Sequence, residues 1–322
     1  MRRLFSNRKF QVVFNGALAA VVLAAVLVGG RRFARGGWPL HHADPLLVAG
    51  AALLFLVAYA FKAWGWQRLF AAEERPGAGA LAFAGGAACV GGVALPGRLD
   101  DALRIAVVKR FPGVRTGLAS VALSLLVLGL LDNVALAPLA SVAAVNASSW
   151  TVQLGFAVVA AAGVLAAGIV ASLPTIASRP FVMRFRIGRW LASRAHCNRR
   201  AAAALLFISI SWALRGTAVF LLLEALSMNG SSFPLALAFL CASAASAALP
   251  IAPAGAATQA GAGAAILMAS GVHSTEAIAF SVSAQVLVVG TGAVVVLSVA
   301  AWQMALRLRS RGFWAVPAVS LS

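Results

Sequence analysis

The sequence predicts an all-α polytopic membrane protein of about six full spans plus two re-entrant hairpins, arranged as an inverted repeat. Three observations predict it. Apolar residues make up 62% of the chain and charged residues only 11%, against about a quarter charged in soluble domains. The basic residues collect at the ends of apolar stretches. Two short breaks, Ala94–Arg104 and Ala248–Gly255, each follow a short arm of small residues in one half of the chain. Paired Gly/Pro-interrupted apolar segments mark the site of transporters built from inverted repeats. In a soluble domain the net charge of +18 and the pI near 11.9 would suggest nucleic acid. With a mean hydropathy of +0.94, they point instead to a membrane surface.

Taken in order, the chain opens with Arg2, Arg3, Arg8 and Lys9 before an apolar run from Phe10 to Val28. That run exceeds the h-region of a signal peptide, and no small-x-small site precedes Arg31, so an uncleaved first helix is expected. Complete spans read at about 10–29, 45–67, 116–140, 151–174, 201–226 and 277–303, each long enough for a hydrocarbon core of about 30 Å. The segments 80–95, 234–249 and 257–270 are shorter. Counting each as its own helix gives eight to nine hydrophobic helices, and parity allows 234–249 and 257–270 to be two complete spans. The expected division is an N-terminal span and loop (1–44), a first half (45–140) with its break at 94–104, a linking span and basic interfacial segment (141–200), a second half (201–303) with its break at 248–263, and a cytoplasmic tail (304–322).

Positive charge sets the orientation. Residues 1–9, 98–115, 175–200 and the tail are rich in arginine, whereas 141–150, 227–233 and 271–275 contain neither Lys nor Arg. All four basic regions are cytoplasmic only if 80–97 enters from the cytoplasm and Leu99–Arg110 returns to it. The loop with Arg31, Arg32 and Arg35 objects. A multi-pass protein of a bacterial plasma membrane, with both termini cytoplasmic, is the expectation. Phe181, Phe185 and Trp190 interleave with Arg184, Arg186 and Arg189, as in an interfacial helix on anionic lipid.

Irregular backbone at membrane depth must be covered by protein or line a cavity. Pro96 and Gly97 in the first break, and Pro250, Pro253 and Gly255 in the second, are therefore candidate cavity-lining residues. Asp100 and Arg104 stand i,i+4 on one helical face, with Asp101 three residues from Arg104. Such a pair holds a guanidinium while leaving donors for a phosphate, and Arg98 beside the helix start can share that anion with backbone N–H groups. A juxtamembrane cluster snorkelling to headgroups explains the same residues. Asp132 is the clearest intramembrane carboxylate, and it and Arg215 lie in spans flanking opposite hairpins, so they are expected to meet as a gate, a counter-charge or a structural pair. Glu224, nine residues from Arg215, faces the other way. Thr258 and Gln259 add one hydroxyl and one amide. The three cysteines and four histidines have no ligand spacing, so no metal, disulfide or cofactor is expected. No P-loop, HExxH or GxSxG is present.

The stretch Ala94–Arg104, with the pattern L-P-G-R-L-x-[DE]-x-x-R, resembles the first signature of the flippase-like membrane region of lysylphosphatidylglycerol synthases. The second break resembles that family's Pro-x-x-Pro-Gly-Gly segment, and the order of spans agrees over most of 45–303. Pro96, Gly97, Arg98, Asp101 and Arg104 match the first signature, with Asp100 where a glycine is usual. Asp132 matches the aspartate of the following span. Pro250, Pro253 and Gly255 match the second, but Ala254 replaces a glycine and Ala260 a glutamate. The resemblance implies a stand-alone membrane region, without the synthase domain and not itself an enzyme. It would translocate an anionic phospholipid or polyprenyl-linked lipid, with Arg98 and Arg104 on the phosphate and Asp100, Asp101, Asp132 and Arg215 orienting or gating. The alternative is a non-transporting membrane partner of a lipid-modifying or envelope-assembly complex. Membrane lipids are the expected partners in either case, with a membrane protein as a further one and no nucleic acid.

Overall fold

The computed structural model describes residues 43–93, 99–147, 149–177, 179–180, 184, 198–228, 230–247 and 255–310. The predicted first span, the interfacial segment around Trp190 and both breaks (94–98 and 248–254) lie outside the described residues. Among those described there is no strand, and the α-helices are α1 (Pro45–Arg68), α2 (Ala78–Gly91), α3 (Leu99–Arg110), α4 (Leu118–Val145), α5 (Trp150–Ala177), α6 (Asn198–Ala225), α7 (Phe233–Ala247), α8 (Gly255–Ala269) and α9 (Ser274–Ser310). Five of them (α1, α4, α5, α6 and α9) are long and apolar enough to cross a membrane.

Local chemistry starts and stops these helices. Asp44 caps α1, its carboxylate accepting from the N–H of Leu46 at 2.8 Å and of Leu47 at 3.4 Å, with Pro45 at the first helical position. Asp100 and Asp101 stand in the first turn of α3 and Lys109 and Arg110 in its last, each complementing the helix dipole. The N–H of Val272 reaches the carbonyl of Leu267 at 3.0 Å, and Gly271 supplies the positive φ that closes α8. α4 runs on to Val145, past the predicted end at 140, because Pro138 removes one backbone hydrogen bond without ending an otherwise apolar helix.

The short helices come in two pairs, one flanking each break. α2 and α3 are about 21 and 18 Å long and α7 and α8 about 22 Å each, too short for a core of about 30 Å. The entrance and exit of the first hairpin lie together: Thr116 Oγ1 donates to the Glu74 carbonyl at 2.6 Å and Ser120 Oγ to the Glu74 carboxylate at 2.8 Å. In the second, Ser243 Oγ donates to the Gln259 carbonyl at 3.2 Å, and a Cβ on Gly263 would strike the Phe239 ring, which gives α7 and α8 an antiparallel register. With 15 residues each, α7 and α8 fall below the length of a complete span, and their antiparallel packing is common to a re-entrant hairpin and to two crossings. With each hairpin returning to the end it came from, α1 and α6 run in opposite senses, as do α4 and α9.

The packing repeats with the halves exchanged. α1 and α6 lie antiparallel on each other, joined at one end by Asp44 N–H to the Ala225 carbonyl (3.0 Å) and at mid-length by Ser211 Oγ to the Ala58 carbonyl (2.9 Å). α2 packs on α9 as α7 packs on α4, and α1 touches α2 and α9 as α6 touches α7 and α4. α5 stands outside this relation, packed on α4 and brushing α7, with Leu154, Val158, Val164 and Leu165 exposed for lipid. Close crossings need glycine. A Cβ on Gly86 would sit 2.6 Å from the carbonyl oxygen of Gly292, so α2 and α9 meet backbone to backbone.

Candidate functional site

The inner ends of both hairpins meet α1, α6 and α9 around a cavity of about 210 Å³. Gly92 and Asp100 flank the first break, and Ala247 and Ala256 the second; all four line it. Three cations face in: Lys62 from α1, Arg104 from α3 and Arg215 from α6. Among the described residues Asp100 is the one carboxylate in the lining; Gln259 and Gln285, 3.5 Å apart, add neutral amides.

Arg104 is held as the i,i+4 spacing predicts. Its guanidinium lies 2.8 Å from Asp101 and 3.4 Å from Asp100. Arg98, Pro96, Gly97, Pro250 and Pro253 lie outside the described residues, and Gly255 opens α8.

Asp132 does not pair with Arg215. Its Oδ2 takes the Lys62 ammonium at 2.8 Å and its Oδ1 the indole N–H of Trp212 at 2.8 Å, so one carboxylate ties α1, α4 and α6. Arg215 is one turn beyond Trp212 and turned toward α1. Its guanidinium lies over the Tyr59 ring at 5.6 Å and the Trp212 ring at 5.2 Å. Among the described residues its buried Nε has no hydrogen-bond partner. A buried, unsatisfied charged donor is costly, and in a native site it calls for a reason such as an anion that completes it. Glu224 sits at the far end of α6, its carboxylate taking the Ser231 hydroxyl at 2.6 Å.

Lys62 is the residue that reading the sequence missed. It was visible as a lysine inside an apolar span, which by itself marks a functional candidate. Its place repeats that of Arg215: each stands seventeen residues after the first residue of its half's leading helix. Tyr59 and Trp212 went unnoticed because an aromatic in an apolar helix carries no signal until a cation lies over it.

A helical, multi-pass membrane protein with two pairs of short helices around a cavity lined by Lys62, Arg104 and Arg215 is thus defined. The chain belongs to the family described as the lysylphosphatidylglycerol synthase TM region, whose model matches residues 12–297. No curated protein and no solved structure matches it.

Proposed function

We propose that this chain moves a phosphate-bearing anionic lipid, a phospholipid or a polyprenyl-linked lipid, between the leaflets of a bacterial plasma membrane. The observation that carries the reading is the charge of the cavity wall: Lys62, Arg104 and Arg215 against Asp100 alone. Asp132 and Asp101 stand behind these cations and hold two of them in place, while Arg215 keeps a buried donor open. At about 210 Å³ the cavity is smaller than the 300 Å³ or more that encloses a whole small molecule. It suits a headgroup phosphate whose acyl chains stay in the bilayer. No bond-making step is assigned to the chain.

Orientation follows the positive-inside rule. The end of the bundle with Arg68, Arg75, Lys109, Arg110 and Arg115 is cytoplasmic, and the connections at 146–149, 227–232 and 270–273, which carry no Lys or Arg, face outward.

The test is translocation of a fluorescent phosphatidylglycerol in proteoliposomes. Wild-type protein should move it faster than the matching phosphatidylcholine, and the Arg104→Gln/Arg215→Gln double variant, folded by its melting curve, should lose that difference. Equal rates for wild type and double variant would overturn the assignment. Wild-type protein that moves no lipid and co-purifies with a fixed membrane partner would favour the accessory role instead.

A further inference from the structure

A second cavity, of about 540 Å³, opens at the basic end of the first hairpin. α2 and α9 meet backbone to backbone at Gly86 and Gly292, and nearer the basic end Ala80 of α2, Val299 of α9 and the turn 111–115 line the cavity together. Glu73, Arg75, Phe111, Arg115, Trp302 and Gln303 are in its lining. The volume falls within the range of about 300–1,000 Å³ typical of ligand sites.

The loops that form its rim are braced. Gln67 Nε2 donates to the Pro76 carbonyl at 2.8 Å, Lys109 Nζ to the Thr116 carbonyl at 2.7 Å, and Glu74 is engaged by Thr116 and Ser120. The remaining charges are set differently. Glu73, Arg75 and Arg115 face one cavity, yet among the described residues none forms an ion pair within 4.0 Å. All three are exposed, and opposite charges left unpaired around one pocket suit a ligand that carries both signs. Trp302, 64% exposed, stands beside them, and an indole at the end of a span takes the headgroup level of a bilayer.

We propose that this pocket binds the headgroup of a zwitterionic phospholipid with a protonated amine, of the phosphatidylethanolamine type. Arg75 and Arg115 take the phosphate, Glu73 takes the ammonium, and the acyl chains run out along the exposed apolar face of α9 past Trp302. The site is separate from the central cavity, and its occupant differs from the anionic cargo assigned there. A trimethylated amine has no N–H to donate, so Glu73 discriminates against phosphatidylcholine by a lost charge-assisted hydrogen bond.

The test is native mass spectrometry of the full chain extracted from vesicles of equal phosphatidylethanolamine and phosphatidylcholine. Wild-type protein should retain phosphatidylethanolamine over phosphatidylcholine by roughly fivefold. The ratio should step down through the mono- and dimethylated ethanolamine lipids. Glu73→Gln should bring it close to one with total retained phospholipid unchanged, and Arg75→Gln/Arg115→Gln should lower the total. Arg104→Gln/Arg215→Gln should leave the ratio as in wild type, which separates this site from the central one. A wild-type ratio near one, no dependence on amine methylation, or a Glu73→Gln ratio equal to that of wild type would each overturn the proposal.

Discussion

The Lys62–Asp132 pair gives the sharpest quantitative prediction. Its 2.8 Å contact lies between side chains about one-fifth exposed. Removing one partner of a buried pair costs about 3–5 kcal/mol, and partial exposure lowers that figure. Lys62→Met leaves the carboxylate with only the Trp212 indole N–H, an expected loss of about 2.5 kcal/mol. Asp132→Asn leaves the ammonium 5.5 Å from the centre of the Trp212 ring, a cation–π contact that absorbs part of the loss, so about 1.5 kcal/mol is expected. The double variant removes both charges together and should also lose about 1.5 kcal/mol, a coupling energy of about 2.5 kcal/mol. Unfolding in one fixed detergent, followed by circular dichroism against denaturant, measures the cycle. A parallel cycle on Asp132 and Arg215, which share Trp212 but do not touch, should give less than half that coupling. A Lys62–Asp132 coupling near zero, or a larger one between Asp132 and Arg215, would refute the pairing.

Three further outcomes follow from other contacts. Gly86→Val places a side chain on the Gly292 carbonyl and should cost at least about 2 kcal/mol by forcing α2 from α9, read in the same unfolding assay. Ser227 holds a positive φ of 49° at the end of α6, so Ser227→Gly should raise stability by about 1 kcal/mol, seen as a higher unfolding midpoint. Arg215→Gln trades two ring contacts for release of a buried unpaired donor, so its stability should stay within about 1 kcal/mol of wild type. A large loss on that substitution would make Arg215 a structural residue.

Much of the fold was legible because lipid imposes simple rules. Span length, charge asymmetry and two Gly/Pro breaks are enough to place α1, α4, α5 and α6 and to mark the short helices that flank each break. Ends were less legible. α9 extends to Ser310, beyond the predicted 303, since its apolar pattern gives way to Arg307 and Arg309 without any residue that stops a helix. Within the site, the Asp100–Arg104 geometry was readable because it is local, fixed by 3.6 residues per turn. The partner of Asp132 was not. Choosing between Lys62 and Arg215 needs the rotation of α1 and α6 about their own axes, which small-residue crossings such as Gly65 against Ala204 set and no periodicity reveals.

Everything assigned to the central cavity rests on two hairpins that enter from opposite faces. Labelling with a membrane-impermeant thiol reagent tests this directly, using single cysteines at Arg75, Gly113, Ser231 and Ser270 after Cys89, Cys197 and Cys241 are replaced by serine. In right-side-out vesicles Ser231→Cys and Ser270→Cys should react and Arg75→Cys and Gly113→Cys should not, with the pattern reversed in inverted vesicles. Reaction of Arg75→Cys and Gly113→Cys from different faces, or of Ser231→Cys and Ser270→Cys from different faces, would mean that a helix pair makes a net crossing and would contradict the account.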